Sequence, residues 1–250
     1  MKTMVKHFFL HPAIWVYLIV FTSIIIYLSF FYSHIFKSHW WLILITIVFA
    51  PFLEWFTHKY ILHWKIGKFK KVDASILGEV KPGDTIVYEN SRYEVLSIKN
   101  NQAYIGYGIA PMLPEFIRKG MYTLHYGHHE NPNNIKLIFA PITFSIGLFS
   151  VMFIGAYALT FRLDIAMLFT SSVIAYYLYY EWVHLGHHIA EYKPITSWSK
   201  KLKKAHLFHH YHNENLWWGI TNSLGDYLMG TYKKQKETNQ SETTMDINSF

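Results

Sequence analysis

The chain has 250 residues, of which 52% are hydrophobic and only 16% are charged. Because soluble domains carry about 25% charged residues, this composition favours a membrane protein. The absence of cysteine excludes disulfides and thiolate metal ligands, and the net charge of +7 lies on lysines that flank apolar segments, which favours a membrane surface over nucleic acid as the partner.

Residues 1–71 predict a first transmembrane hairpin. The apolar run at 12–32 is long enough to span a bilayer, and no small-residue cleavage site follows it, so we interpret it as a membrane helix and not as a signal peptide. A second apolar segment covers 40–56. Five lysines follow within 59–71, and this concentration predicts that the open ends of the hairpin are cytoplasmic.

Residues 72–110 predict a small antiparallel β module inserted in the membrane protein. Turn signals at Lys81-Pro-Gly-Asp84, at 89–91 and at 99–101 separate short segments in which apolar and polar residues alternate. The module carries no recognisable catalytic constellation. We therefore expect a solvated interaction or cover module.

Residues 111–232 predict a second transmembrane hairpin with a cytosolic cap. A helix along the membrane face is expected at 115–130, followed by apolar segments at 137–159 and 165–183. The polar residues 233–250 predict a disordered tail. The predicted fold class is thus a mainly α, multi-pass integral membrane protein, with four transmembrane helices in two hairpins and a cytosolic helical cap. Both termini are expected on the cytoplasmic side.

With His212, four short clusters hold twelve of the sixteen histidines. The clusters are His58-Lys-Tyr-Ile-Leu-His63, His125-Tyr-Gly-His128-His129, His184-Leu-Gly-His187-His188 and His206-Leu-Phe-His209-His210. Neutral imidazole ligates metals near pH 7, and so many donors exceed the four that one zinc ion takes. They favour two metal ions, and imidazole suits iron as well as zinc. All four clusters fall on the predicted cytoplasmic side.

Spacing supports a shared site for most of these histidines. Three clusters place their members at i, i+3 and i+4, on one face of a helix. His58 and His63 do not fit, since five residues turn a regular helix by about 500° and leave the two about 140° apart. They meet only across a helix end or a local distortion, or from opposite sides of the site. The remaining histidines, His7, His11, His34 and His39, are expected at the membrane interface.

The clusters stand in longer motifs. These are Glu54-Trp-Phe-Thr-His58 through His63, His125 through Asn131-Pro132 with Phe139-Ala-Pro141, and the stretches 180–188, 204–221 and 226–231. In this order they resemble the fatty acid hydroxylase/sterol desaturase superfamily of integral-membrane di-metal oxygenases, and within it the fatty acid 2-hydroxylase branch. The resemblance covers roughly 49–65 and 120–231. The β module departs from the pattern, because it separates two boxes that lie closer together in relatives.

The resemblance implies which residues bind the metals. The ten implied ligands are His58, His63, His125, His128, His129, His184, His188, His206, His209 and His210. His187 and His212 become candidate supports of these ligands, or simply polar neighbours of a crowded site. Glu54 and Asp226 become candidate acceptors that orient ligating imidazoles, although a structural role such as capping is an equal alternative. No catalytic group beyond the ligands is expected.

The resemblance also implies a function. Two iron ions, replaceable by zinc during overexpression, would support O2-dependent hydroxylation of a lipid acyl chain, most simply at C2 of a fatty acid or sphingolipid. A separate donor, such as a ferredoxin or cytochrome b5 type protein, would supply electrons, since the sequence has no His-Pro-Gly-Gly heme-binding stretch. Three alternatives stay open: sterol or carotenoid oxidation or desaturation by the same site, a non-catalytic metal-binding membrane protein, and a heme-binding membrane cytochrome.

Overall fold

A computed structural model describes residues 2–63, 67–89, 91–108, 116, 120, 122–241 and 244. The helices of its first part are α1 (Lys2–Leu10), α2 (Pro12–Phe31), α3 (Ile35–Ser38), α4 (Trp41–Phe56) and a π-helix (Thr57–Leu62). The strands are β1 (Gly67–Asp73), β2 (Thr85–Tyr88), β3 (Ser91–Lys99) and β4 (Gln102–Gly108), with the short helix α5 (Ala74–Leu77) after β1.

The second part is helical throughout. A second π-helix (Tyr122–Tyr126) leads into α6 (Gly127–Glu130), and a 3-10 turn (Ile135–Leu137) precedes α7 (Ile142–Thr160). Then come α8 (Leu163–His188), α9 (Ser197–Tyr211), α10 (Leu224–Leu228) and a 3-10 turn (Gln235–Glu237). Of the helix expected at 115–130, the part before Tyr122 lies outside the described residues, except for Phe116 and Gly120.

Four helical segments are long and apolar enough to cross a membrane: Pro12–Phe31, Trp41–Leu62, Ile135–Thr160 and Leu163–His188. This confirms the four predicted apolar spans. Helix α8 packs against α2, α4 and α7 and is therefore the centre of the bundle. Helix α1 supports its far end, since the buried Met4 and Phe8 share one apolar core with Leu185 and Ile189.

Hydroxyl pairs connect the spans. Thr46 Oγ1 of α4 lies 2.7 Å from Ser172 Oγ of α8, and the Tyr17 hydroxyl of α2 hydrogen-bonds with Ser145 of α7. Such side-chain hydrogen bonds between membrane helices each contribute about 0.6–2 kcal/mol. They fix how the spans pack around the space between α4, α7 and α8.

The four strands form one antiparallel sheet in the order β1-β4-β3-β2. Its core contains Val72, Val95 and Ile105, which are almost fully buried. The sheet begins at Gly67, five residues before the expected boundary. The lysines of β1 indicated the basic flank of the hairpin. Lysine is also common on an edge strand such as this one, so these residues did not predict a strand.

The two ends of the sheet segment lie side by side, because Gly67 pairs with Gly108. Paired residues in an antiparallel ladder are about 5 Å apart, so the inserted sheet leaves the first two histidine clusters free to approach each other. Replacing 68–107 with a short Gly/Ser linker is therefore expected to preserve membrane insertion and metal content.

Metal analysis of that purified variant is the measurement, beside the same analysis of the intact chain. Loss of both metals would show instead that the sheet supports the histidine site.

The prediction of a disordered tail is wrong for residues 233–241 and 244. The Ser241 amide donates to the His212 carbonyl over 2.7 Å, and Asn213 Nδ2 donates to the Asn239 carbonyl over 3.1 Å. Thr244 is 6% exposed. The polar composition indicated solvation, but these polar groups bond to the end of α9.

Candidate metal centre

The first π-helix brings His58 and His63 together. The His63 amide donates to the His58 carbonyl over 3.1 Å, which is the i→i+5 bond of a π-helix. The two ring centroids are 5.2 Å apart. Of the expected solutions to their irregular spacing, the structure has the local distortion.

The ten histidines lie in two groups of five, and the nitrogens of each group lie within 4.8 Å of one another. Group one is His58, His63, His125, His129 and His209, and group two is His128, His184, His188, His206 and His210. All are buried except the half-buried His188. Their role as ligands stays a prediction, but the geometry brings together all ten residues and, within the part of the chain that the structure describes, no others in these two groups.

Two of the clusters contribute to both groups. His125 and His129 belong to group one and His128 to group two, whereas His206 and His210 belong to group two and His209 to group one. In each cluster the i and i+4 histidines share a group and the i+3 histidine joins the other. The groups are consequently adjacent, with 4.2 Å between the ring centroids of His129 and His210.

Group one fits a bound cation. Nε2 of His125 lies 3.1 Å from Nε2 of His58, 3.0 Å from that of His63 and 3.1 Å from that of His129. A neutral imidazole carries one proton, and His58 and His129 use theirs at Nδ1 (below), so at least one contact opposes two lone pairs. Zinc–nitrogen bonds of about 2.0–2.1 Å place neighbouring ligand nitrogens about 3 Å apart, which matches these separations.

Group two also fits a bound cation, because its ring nitrogens are close together or lack hydrogen-bond partners among the described residues. Nε2 of His206 is 2.7 Å from Nε2 of His188 and 3.2 Å from Nε2 of His210. Both ring nitrogens of His128 and of His184 are buried without a hydrogen-bond partner in the part of the chain that the structure describes. Buried polar atoms are normally paired, so these nitrogens are suited to a metal.

The electrostatics keep these imidazoles neutral. Burial lowers the pKa values of His125, His128, His206, His209 and His210 well below the usual 6.5, and neighbouring imidazoles lower them further. Burial also lowers the pKa of His129 to about 3. Because desolvation disfavours the charged form, each ring retains a lone pair that can bind a metal.

Main-chain carbonyls orient three members of group one. Nδ1 of His58 donates to the Trp218 carbonyl (2.6 Å), Nδ1 of His209 to the Leu216 carbonyl (2.8 Å) and Nδ1 of His129 to the Thr244 carbonyl (3.0 Å). Each bond fixes the tautomer and directs Nε2 into the group, as is usual for metal-ligating histidines.

Glu54 and Asp226 were expected to accept hydrogen bonds from the imidazoles, but they bind main-chain amides. Glu54 accepts from the amides of Ile220 and Thr221, and Asp226 accepts from the amides of Trp218 (2.9 Å) and Gly219 (2.8 Å). Neither carboxylate hydrogen-bonds to a histidine among the described residues. They hold the loop that presents the Trp218 carbonyl to His58, so they orient the imidazole through the main chain.

The other candidates lie outside both groups. His187 is buried, with its ring centroid 5.1 Å from that of His206. His212 ends α9, and its Nε2 is 2.9 Å from Thr238 Oγ1, so it anchors the tail. Of the four histidines expected at the interface, His11 stacks on Phe139 at 4.2 Å.

Sequence reasoning missed an apolar cavity of about 200 Å³ between α4, α7 and α8. It reaches His58 and His125 of group one and His184 of group two, and Ala50 and Leu148 are among its apolar lining residues. Ordinary membrane-helix residues give no signal of such a cavity. Sequence reasoning also passed over Glu181, an ionisable residue within a span; it is 1% exposed and lies one turn before His184.

Known proteins are similar to this chain in sequence and in fold. Residues 115–231 match the fatty acid hydroxylase family. The dihydroceramide fatty acyl 2-hydroxylases FAH1 and FAH2 of Arabidopsis thaliana are 33% and 32% identical over 116 and 111 residues, which are 46% and 44% of this chain. The match spans only 47% and 45% of those relatives.

A solved structure of full-length Scs7p, in which only the hydroxylase domain is visible, has a TM-score of 0.61 at 19% identity. The similarity covers 92% of this chain and 68% of that chain, and at this identity it shows a shared fold. The resemblance that the histidine motifs predicted is confirmed: residues 115–231 of this chain match the fatty acid hydroxylase family.

Proposed function

We propose that this protein is an integral-membrane di-metal oxygenase that hydroxylates a lipid acyl chain at C2, and that the ten histidines of the two groups bind two iron ions. One observation carries the proposal. Both groups of five histidines border the same apolar cavity, through His58, His125 and His184. A metal carrier needs no apolar cavity beside its ligands, and a heme cytochrome needs only paired axial histidines, which leaves two groups of five unexplained.

The chain's own residues bind the substrate and position it. The apolar lining binds an acyl chain and excludes water from the histidines, while the imidazoles hold the ions. The two ions, when bound, would supply the activation of O2 and the transfer of one oxygen atom to carbon. Each group has five imidazoles, which is more than the four ligands that a zinc ion usually takes. Such a set suits iron, which also binds imidazole.

The position of the cavity supports oxidation near the carboxyl end. Lining residues of α4 and the π-helix run from Ile45 to Leu62, which is about 25 Å along a helix. The histidines lie where the spans end, so a chain threaded from the membrane would present its head-group end to them. The Arabidopsis relatives are named as dihydroceramide fatty acyl 2-hydroxylases, which supports the same carbon.

The surroundings of the site support its orientation and its electron supply. Lys59 lies in the last turn of the second span, and the lysines of α9 follow the fourth, which favours a cytoplasmic metal centre by the positive-inside rule. With two hairpins, both termini would share that side. A separate donor of the ferredoxin or cytochrome b5 type would deliver electrons there.

Expression in a host without 2-hydroxy lipids tests the function. We expect hydrolysed fatty acids to contain a C2-hydroxylated acid that carries label from 18O2, and the purified chain to bind two metal ions. The His128→Ala variant is the control and should give no such acid. A new double bond, a hydroxyl far from the carboxyl end, or oxidation only of an added sterol or carotenoid would reject the proposal, as would saturation at one ion per chain.

A further inference from the structure

Lys203 of α9 is hydrogen-bonded to the carboxyl end of α8. Its Nζ donates to the carbonyls of Gly186 (3.0 Å), Ile189 (2.7 Å) and Tyr192 (2.8 Å). An ammonium group has three donors, so all three are used. The side chain is half-buried, whereas Lys200, Lys201 and Lys204 on the same helix are exposed.

The end of a helix is a favourable place for such a cation. The last carbonyls of a helix have no partner within it, and its carboxyl end carries a partial negative charge. Hydrogen bonds from an ammonium group are also stronger than neutral ones. Lys203 thus fastens the last turn of α8, which ends at His188, to the middle of α9.

The same junction builds group two. Helix α8 contributes His184 and His188, and α9 contributes His206 and His210. Lys203 and His206 are three residues apart and therefore lie on the same face of α9, where Nε2 of His206 is 2.7 Å from Nε2 of His188. Group one takes no residue from α8 and only His209 from α9.

The supports of the two groups therefore differ. Main-chain carbonyls orient three histidines of group one, whereas the Nδ1 atoms of His128, His184, His206 and His210 in group two have no hydrogen-bond partner among the described residues. The geometry of group two depends on how α8 and α9 are held against each other. Lys203 is the charged side chain that holds them.

We propose that Lys203 is a positioning residue for the second metal ion: it sets the spacing between the imidazoles of α8 and those of α9, and so governs retention of the ion in group two. The inference rests on the proposed two-metal centre. It assigns Lys203 no contact with substrate or metal.

The test is metal dissociation from the purified full chain into excess chelator, with metal per chain measured over time. Wild type should release its two ions slowly. Lys203→Met, which keeps the length and removes the charge, should release one of the two ions about 10- to 100-fold faster, the range typical for loss of a residue that supports a ligand. Lys201→Met removes the same charge from an exposed position and should match wild type.

Two further variants keep the test decisive if Lys203→Met folds poorly. Lys203→Arg retains a cation with several donors and should release both ions slowly, and Lys203→Gln, which is neutral, should release one ion at an intermediate rate. Equal rates for all variants, or equal acceleration of both ions, would overturn the role of Lys203. A wild-type chain that binds only one ion would overturn the two-metal centre itself, and two ions without lipid product would overturn only the proposed reaction.

Discussion

Replacing His128 with alanine is expected to abolish hydroxylation and to remove one metal ion per chain. His128 is central to group two, with its ring centroid 4.9 Å from that of His184, 4.5 Å from that of His188 and 4.6 Å from that of His210. Loss of a residue that merely supports a ligand weakens metal binding or activity about 10- to 100-fold. Loss of the ligand itself should lower product formation more than about 100-fold, which mass spectrometry of hydrolysed lipids measures.

Two other histidine variants serve as comparisons for His128→Ala. His209→Ala should be equally damaging, through group one. His34→Ala should leave activity nearly intact, because His34 is exposed and precedes the short helix α3, in the link between the first two spans. If His34→Ala were as harmful as His128→Ala, the proposed membrane topology would be wrong.

Filling the cavity at Ala50 is expected to stop turnover without loss of metal. Ala50 lines the cavity and lies eight residues before His58, about 12 Å along the helix. An indole ring at this position blocks the path of an acyl chain, so Ala50→Trp should lower product from long chains more than about tenfold. The added bulk should destabilise the fold by only about 1–3 kcal/mol, so both ions should stay bound.

The comparison is product yield and metal per chain for Ala50→Trp and Val48→Trp. Val48 lies on the same helix but is 55% exposed on the outside of the bundle, so its replacement should retain activity. Full activity of Ala50→Trp on long chains would show that the acyl chain binds elsewhere.

The identity of the clustered histidines was predictable, but their division was not. Spacing places His125, His128 and His129 on one helix face, and the resemblance to hydroxylases selects the same residues. That single face contributes histidines to both groups. Which group each ring joins depends on where α8, α9 and the π-helix lie, and no local pattern in the sequence encodes those positions.

The spacing of the first cluster was sufficient to predict that its two histidines do not share one face of a regular helix. The angle of about 140° between His58 and His63 on a regular helix indicated either a break in the helix or ligation from opposite sides of the site. It did not distinguish a π-helix from a helix end, because the choice depends on packing against the second π-helix and the loop at 217–221. The tail shows the opposite error: its composition indicated disorder, but Thr238 and Ser241 have partners in His212 and Glu214.

The bond between His129 and Thr244 has a consequence for biosynthesis. The two residues are 115 positions apart in sequence, and ribosomes add about 5–20 residues per second, so the acceptor is made roughly 6–23 s after the donor. During that interval, group one of a nascent chain lacks one of the three carbonyls that orient it. Maturation of the centre therefore follows translation through Thr244, and a ribosome stalled before that codon would yield a membrane-inserted chain with an incompletely ordered site.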